Sequence, residues 1–261
     1  MGELRRYRFL FEQMVRRELR QKYQGSLLGV AWYVVNPLVL MGAYTVMFTF
    51  ILRNTRIPDF ALFVLLGIVA WTFFQQAVLS AATSLLDQGA LVRKALFPRE
   101  AIPASVVTVQ LVTFCVLMAM VTPIAIAVRG SLSISLALLP LYMLALFVFA
   151  LGLALGISVL QAYFRDVAPI VGAAFLPWFF VTPIFYRVTS FPGAAHHAWL
   201  KPLLRWGNPI APFIDAIRTV VFDGHGPGWA TTGYVLVAAI VSVLLGQLLF
   251  RRLQGELAVV V

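Results

Sequence analysis

The side chains that bind metals or run acid–base chemistry gather in one stretch: His196, His197 and His225, with Asp215 and Asp223 between and beside them. Adjacent histidines do not match a standard zinc-ligand spacing, so no metal site is expected there. The single cysteine, Cys115, lies inside an apolar run. One cysteine forms neither an internal disulfide nor a cluster, and the expectation for it is a small buried hydrophobe. No Ser-His-Asp or Cys-His arrangement can be assembled from these residues. None of the three lysines, Lys22, Lys94 and Lys201, follows a glycine. There is thus no phosphate-binding P-loop, and this chain is not expected to hydrolyse nucleotide itself.

What remains is a large stock of aromatic rings: 21 Phe, 8 Tyr and 6 Trp. Tyr33, Tyr44 and Phe48 fall in the first apolar run, Trp71 and Phe74 in the second. Phe175, Trp178, Phe179 and Tyr186 fall in the fifth. Some such rings form interface belts or lipid-facing bulk. Others are candidates to line a smooth, uncharged pore, because an aromatic face suits the C–H face of a sugar ring and holds it weakly enough to slide.

The elements that must position these rings follow from composition. Hydrophobic residues make up 61% of the 261, and charged residues 11%. A soluble domain carries roughly 25% charged residues, so this chain cannot cover a water-facing surface, and it is too apolar for disorder. Six membrane spans are expected: Gly29–Leu52, Phe60–Leu86, Pro103–Val128, Ile134–Leu160, Ala168–Tyr186 and Thr232–Phe250. None contains Asp, Glu, Lys or Arg, and one central Arg would cost about 2.5–3.5 kcal/mol on insertion scales. The runs are continuous, not alternating, which excludes a β-barrel. The first is too long for a signal-peptide core and lacks a cleavage site after it, so it stays as an anchor. The net charge of +10 is explained by membrane topology and implies no nucleic-acid partner. Basic residues number thirteen on the side of the N-terminal segment against seven on the other, so both termini should be cytoplasmic. Ion-coupled carriers place acids in the membrane. These spans have none, so the energy for any transport should come from a separate ATPase.

The connecting segments have character of their own. Residues 4–22 have Leu4, Tyr7, Phe11, Met14 and Leu19 near helical spacing, with Arg16, Arg17 and Arg20 between. That describes an amphipathic helix in the cytoplasmic interface with its arginines on anionic headgroups, either a topological anchor or a mobile collar at a channel mouth. Within residues 87–102, Ala90–Phe97 predicts a short helix, with Leu91, Ala95 and Leu96 near one face, ended by Pro98. Such a helix is what a partner protein would grip. The longest loop, 187–231, predicts a short piece over Trp199–Trp206 and a helix after Asn208-Pro209. The latter has Phe213, Ile214, Ile217, Val220 and Val221 on its apolar face. Both either dip into the membrane or lie on its outer surface. Pro37, Pro123, Pro140, Pro177 and Pro183 fall inside spans and favour kinks, and Gly152 with Gly156 permits close helix packing.

Four motifs in order resemble the membrane subunits of ABC-2 type exporters of lipid-linked polysaccharide, the O-antigen, teichoic acid and galactan exporters. They are Leu28-Gly29-x-x-Trp32 with Pro37, LVRKALFPRE at 91–100, YFRDVAPIV at 163–171 and NPIAPFIDAIR at 208–218. The resemblance covers essentially the whole chain. It implies an all-α polytopic membrane protein of the bacterial plasma membrane with an interfacial gate helix over 1–28, a six-helix domain over 29–261 and gate helices in the 187–231 loop. It also implies a homodimer paired with two copies of an ABC ATPase, with ATP and Mg in that partner and no cofactor in this chain. The substrate implied is a glycan on a polyprenyl carrier. By the same resemblance, Leu91, Arg93, Lys94, Phe97, Pro98, Arg99 and Glu100 form the coupling helix, and Arg165 and Asp166 a second contact loop. Tyr7, Phe11, Arg16, Arg17 and Arg20 would belong to the gate helix. An ABC-2 permease for drugs or small lipids would share this architecture.

Overall fold

The computed structural model describes residues 2–23, 31–47, 57–93, 98–188, 199–255 and 257. The described residues are helical, with no strand among them. In chain order the helices are α1 (Gly2–Tyr23), α2 (Ala31–Val46), α3 (Phe60–Asp87), α4 (Gly89–Val92), α5 (Ala101–Arg129) and α6 (Leu139–Tyr163). They are followed by α7 (Val167–Val181), α8 (Leu200–Pro202), α9 (Ala211–Arg218) and α10 (Trp229–Leu253). Among the described residues, four segments are long and apolar enough to cross a membrane: Phe60–Asp87, Ala101–Arg129, Ile134–Tyr163 and Trp229–Leu253. The shortest extends about 38 Å, more than the ~30 Å hydrocarbon core. The last of the connecting helices, α9, begins at Ala211, and two π turns, Leu203–Gly207 and Thr219–Asp223, flank it.

Several boundaries differ from the sequence reading for identifiable reasons. The run expected over Ala168–Tyr186 is helical only to Val181, because Thr182 precedes Pro183 and takes an extended conformation (φ −72°, ψ 135°), as residues before proline do. Pro183 therefore lies beyond the helix, and Pro140 sits in the first turn of α6, where no donor is lost. Both bound helices instead of kinking them, while Pro123 and Pro177 do lie inside α5 and α7. The helix expected over Ala90–Phe97 is described only as Gly89–Val92; residues 94–97 lie outside the described residues.

Helix α3 is the centre of the bundle. Its face from Phe63 to Leu85 is almost wholly buried against α2, α5, α6, α7 and α9. Helices α6 and α10 form the most extensive pair and touch backbone to backbone. A Cβ added at Gly246 would fall on the backbone of Gly152, and one at Gly152 on that of Ser242, while the Ser242 hydroxyl donates to the Phe149 carbonyl at 2.8 Å. Close approach at Gly152, expected from its spacing, is thus realised; a Cβ at Gly156 would be in ordinary contact with the Leu249 side chain at 3.5 Å and the Gly246 Cα at 3.9 Å.

Met14, Leu85, Val92, Ile102, Phe250 and Leu257 share one cluster, so the two terminal segments lie at the same end of the bundle. The other end holds the start of α3, the end of α5 and α9, joined by the Phe63–Phe222 ring contact and an Arg129 bond to the Val221 carbonyl. Between the ends, bare apolar stripes face outward, Val237, Ile240, Leu244 and Leu248 on α10 and Val112, Val116 and Met120 on α5. Hydrocarbon is the solvent that suits them. Cys115 shares the α5 stripe and is exposed, not buried as expected.

Candidate functional site

At the α9 end, the apolar face foreseen for α9 is buried. Phe213, Ile214, Ile217, Val220 and Val221 pack into the bundle core with 1% exposure or less. This packing carries Arg218 inward with them. Its guanidinium is buried and donates to three carbonyls: Nε to Phe63 at 3.0 Å, one terminal nitrogen to Pro183 at 2.6 Å and the other to Ile184 at 2.6 Å. It also lies 3.8 Å from the centre of the Phe63 ring. Room for it exists because residue 67 is glycine; a Cβ there would overlap the guanidinium. Burial lowers the Arg218 pKa to about 9, Asp215 opposing the shift, so the group is still charged at neutral pH.

Arg218 forms the floor of a cavity of about 380 Å³. Arg187 grips Asp223 with two bonds, 2.6 and 3.1 Å, and that carboxylate holds the Arg187 pKa above its ordinary value. Arg205 stands 3.8 Å from Asp215, donates to Thr231 and lies over the Trp206 ring. Burial raises the Asp215 pKa, against the pull of Arg205 and Arg218. Lys201 also lines the cavity. Four cations and two acids leave the cavity net positive, able to hold hydroxyls or an anionic group. The metal reading gains nothing here: His196 and His197 lie outside the described residues, and among the described residues no group of three metal-binding side chains forms.

Below this cavity the expected aromatic residues come together. Trp71 and Phe74 of α3 meet Phe175 and Trp178 of α7 with ring centres 5.4–5.9 Å apart, and Tyr44 of α2 reaches Phe179 and Phe185. Within one chain these rings cover each other: Trp71, Phe74, Phe175 and Phe179 are buried, while Tyr44, Trp178 and Tyr186 are half-buried. Phe48 and the side chain of Tyr33 lie outside the described residues. Asn208, expected as a helix cap, accepts from the Ile210 N–H at 3.3 Å ahead of α9, and it also ties the cluster to the α9 segment. Its carbonyl accepts from the Trp178 indole at 2.9 Å and its amide donates to Thr182 at 2.9 Å. Asn208→Leu strands the half-buried Trp178 indole donor and the Ile210 N–H, while the Thr182 hydroxyl keeps its bond to the Trp178 carbonyl, so it should lower thermal stability by about 2 kcal/mol, read by unfolding in detergent with Trp fluorescence.

At the opposite end, the segment 98–100 is fastened to the bundle. Arg99 donates to the carbonyls of Val92 and Gln254, and Glu100 pairs with Arg251 at 3.4 Å. Leu91 and Pro98 are half-buried, and Arg93 is exposed. Arg165 and Asp166 are exposed in the α6–α7 turn, which Gln161 braces through bonds to the Arg165 carbonyl and the Ala168 N–H. Helix α1 lies against α5 with Met14 buried, Phe11 half-buried and Arg16, Arg17 and Arg20 exposed; the side chain of Tyr7 lies outside the described residues. Gln88 donates to Glu18 at 2.6 Å, and burial raises the Glu18 pKa. Lys94 and Phe97 also lie outside the described residues. The sequence reading missed Arg218, Asn208 and the Arg187–Asp223 pair. The signal for Arg218 was an arginine on the apolar side of α9 together with a glycine deep in α3.

Comparison with known proteins places these features in a family. Residues 10–222 match the model of the ABC-2 type transporter. The O-antigen export system permease protein RfbA of Myxococcus xanthus is 27% identical over 256 residues, 98% of this chain and 96% of that protein. Its namesake in Klebsiella pneumoniae is 24% identical over 255 residues, 96% of this chain and 95% of that protein.

Proposed function

The chain belongs to the ABC-2 type transporter family, and on that premise we propose that it is the permease subunit of an ATP-driven exporter of lipid-linked polysaccharide. It is a transporter component and a multi-pass protein of the bacterial inner membrane. The observation that carries the substrate class is the end-to-end match to O-antigen export permeases, supported by an uncharged aromatic cluster over α2, α3 and α7.

In this reading the chain crosses the membrane six times with both termini in the cytoplasm. A homodimer supplies twelve helices around a two-fold axis, and two copies of a separate ATPase subunit bind ATP and Mg. Residues 1–28 form the gate helix, 91–100 the coupling helix, Arg165 and Asp166 the second contact, and the 187–231 loop the external gate. Segment 98–100, tied by Arg99 to α4 and to the end of α10, is placed to pass ATPase closure into two helices at once. Of the aromatic candidates, Tyr44, Trp178 and Tyr186, half-buried in one chain, face the pore once two chains meet, while Trp71, Phe74, Phe175 and Phe179 pack behind them.

Arg99→Glu replaces a donor to two carbonyls with an acceptor. With Phe97→Ala, it should uncouple the ATPase and cut surface glycan by roughly tenfold, with subunit amounts in the membrane unchanged. The measurements are glycan display on cells and ATP hydrolysis by the purified complex. Wild-type values for both variants would sink the coupling assignment. Export of a drug or short lipid, with no glycan on the surface, would instead favour the small-molecule permease.

A further inference from the structure

Helix α3 carries a second pattern on the side away from the aromatic cluster. Thr72, Gln76, Ser80, Thr83 and Asp87 follow one another at intervals of four, four, three and four residues, which puts them on a single face. That face is only partly covered: Thr72, Gln76 and Thr83 are half-buried, and Ser80 and Asp87 are exposed. It opens into two cavities, of about 220 and 600 Å³, lying against α5. Gln110 of α5 lines both and donates to Ser80 at 3.2 Å, so the two form one groove. The upper part is closed by Trp32 and Asn36 of α2, the lower part by Arg17 and Glu18 of α1.

The chemistry of this groove is unusual for a transmembrane bundle. Among the described residues, the side chains of Thr72 and Gln76 have no hydrogen-bond partner, and Ser80 is exposed. Hydrocarbon against this face would leave amides and hydroxyls unsatisfied, which membrane structures avoid. The face therefore requires an occupant that hydrogen-bonds. The upper part, lined by Trp32, Asn36, Thr72, Gln76 and Gln110, has no charged side chain, so its occupant is neutral. Trp32, 54% exposed, offers a ring beside Asn36 and Gln76. A flat aromatic surface flanked by uncharged amides and a hydroxyl fits a sugar ring, its C–H face on the indole and its hydroxyls on the amides.

We propose that this groove is a hydrated binding subsite for neutral sugar units, in which Trp32 stacks a ring and Asn36, Gln76 and Gln110 hold its hydroxyls. It is separate from the aromatic cluster on α7, and it opens toward the end that carries α1. The sugar assignment rests on the exporter reading above; the hydration does not.

The test uses the full-length chain with its ATPase partner, in its native bacterium. With Cys115 replaced by Ala, cysteines are placed at Thr83 and Gln76 in the groove and at Leu244 on the outward stripe of α10. A membrane-impermeant maleimide is applied to inside-out vesicles. Labelling is expected at 83 and 76 and not at 244; absence of labelling at both groove positions overturns the groove as a hydrated site. Thr83→Cys is a near-isosteric change and keeps this arm readable if Gln76→Cys is lost from the membrane. In the second arm, Trp32→Ala and Gln76→Leu should each lower surface glycan about tenfold, the effect of one lost hydrogen bond or stacking contact, while Gln76→Asn retains most of it. Labelling of the groove with wild-type glycan display from Trp32→Ala and Gln76→Leu would overturn the sugar subsite. Absence of any glycan export by the unmodified chain would overturn the exporter reading instead, whatever the labelling shows.

Discussion

Arg218→Leu is expected to destabilise the chain by about 4 kcal/mol, because three charge-assisted hydrogen bonds, worth about 1.5–3 kcal/mol each, disappear together. The Phe63 carbonyl lies within α3 and keeps its helical environment. The Pro183 and Ile184 carbonyls lie in the break after α7 and are left facing a leucine. Relief of the buried charge offsets part of this loss, which is why the net falls below the sum of the three bonds. Arg218→Lys should lose about half as much, since one ammonium cannot point in three fixed directions. Gly67→Ala tests the same joint from the other side. Its methyl group would overlap the guanidinium, and it should mimic Arg218→Lys without touching the arginine. Thermal unfolding of the purified protein in detergent, followed by size exclusion, ranks the three. A leucine variant within about 1 kcal/mol of wild type would show that the arginine does not anchor α9.

Gly246→Val should cost about 3 kcal/mol or more, at the upper end of what overpacking produces, because its obstacle is backbone. The nearest atoms to a new Cβ are the carbonyl and Cα of Gly152, and neither can rotate away as a side chain would. The helices must separate, which also pulls the Ser242 hydroxyl from the Phe149 carbonyl. Two neighbouring glycines serve as controls. Gly156→Ala meets only ordinary contact with Leu249 and the Gly246 Cα, and Gly233→Ala meets nothing within 4 Å. The first should be near neutral, and the second should gain about 0.5–1 kcal/mol from helix propensity. Equal losses at 246 and 156 would refute the backbone contact.

The long helices were legible because a run of more than twenty apolar residues without charge has few alternatives. The buried face of α9 and the close approach at Gly152 were legible from spacing. The facing of the aromatic residues was not. A helix apolar all round carries little directional signal, so Trp71 and Trp178 revealed their span but not that they pack on each other. Arg218 was read as one more charge in a loop, since topology counts treat every arginine alike. The stripe from Thr72 to Asp87 escaped for the opposite reason: counting charges passes over Thr, Ser and Gln, though their spacing was already helical. Cys115 was misplaced because its apolar neighbours look the same whether they meet protein or lipid.

The carbonyls that hold Arg218 belong to Phe63, Pro183 and Ile184, and all three precede it in the chain. During vectorial synthesis, when N-terminal parts fold first, the receptor for the arginine is therefore complete before the ribosome releases it. Arg218 can dock as it emerges, before α10 adds its own contacts to α9. Helix α10 follows and closes against α6, backbone on backbone, so the order of translation is also a workable order of assembly.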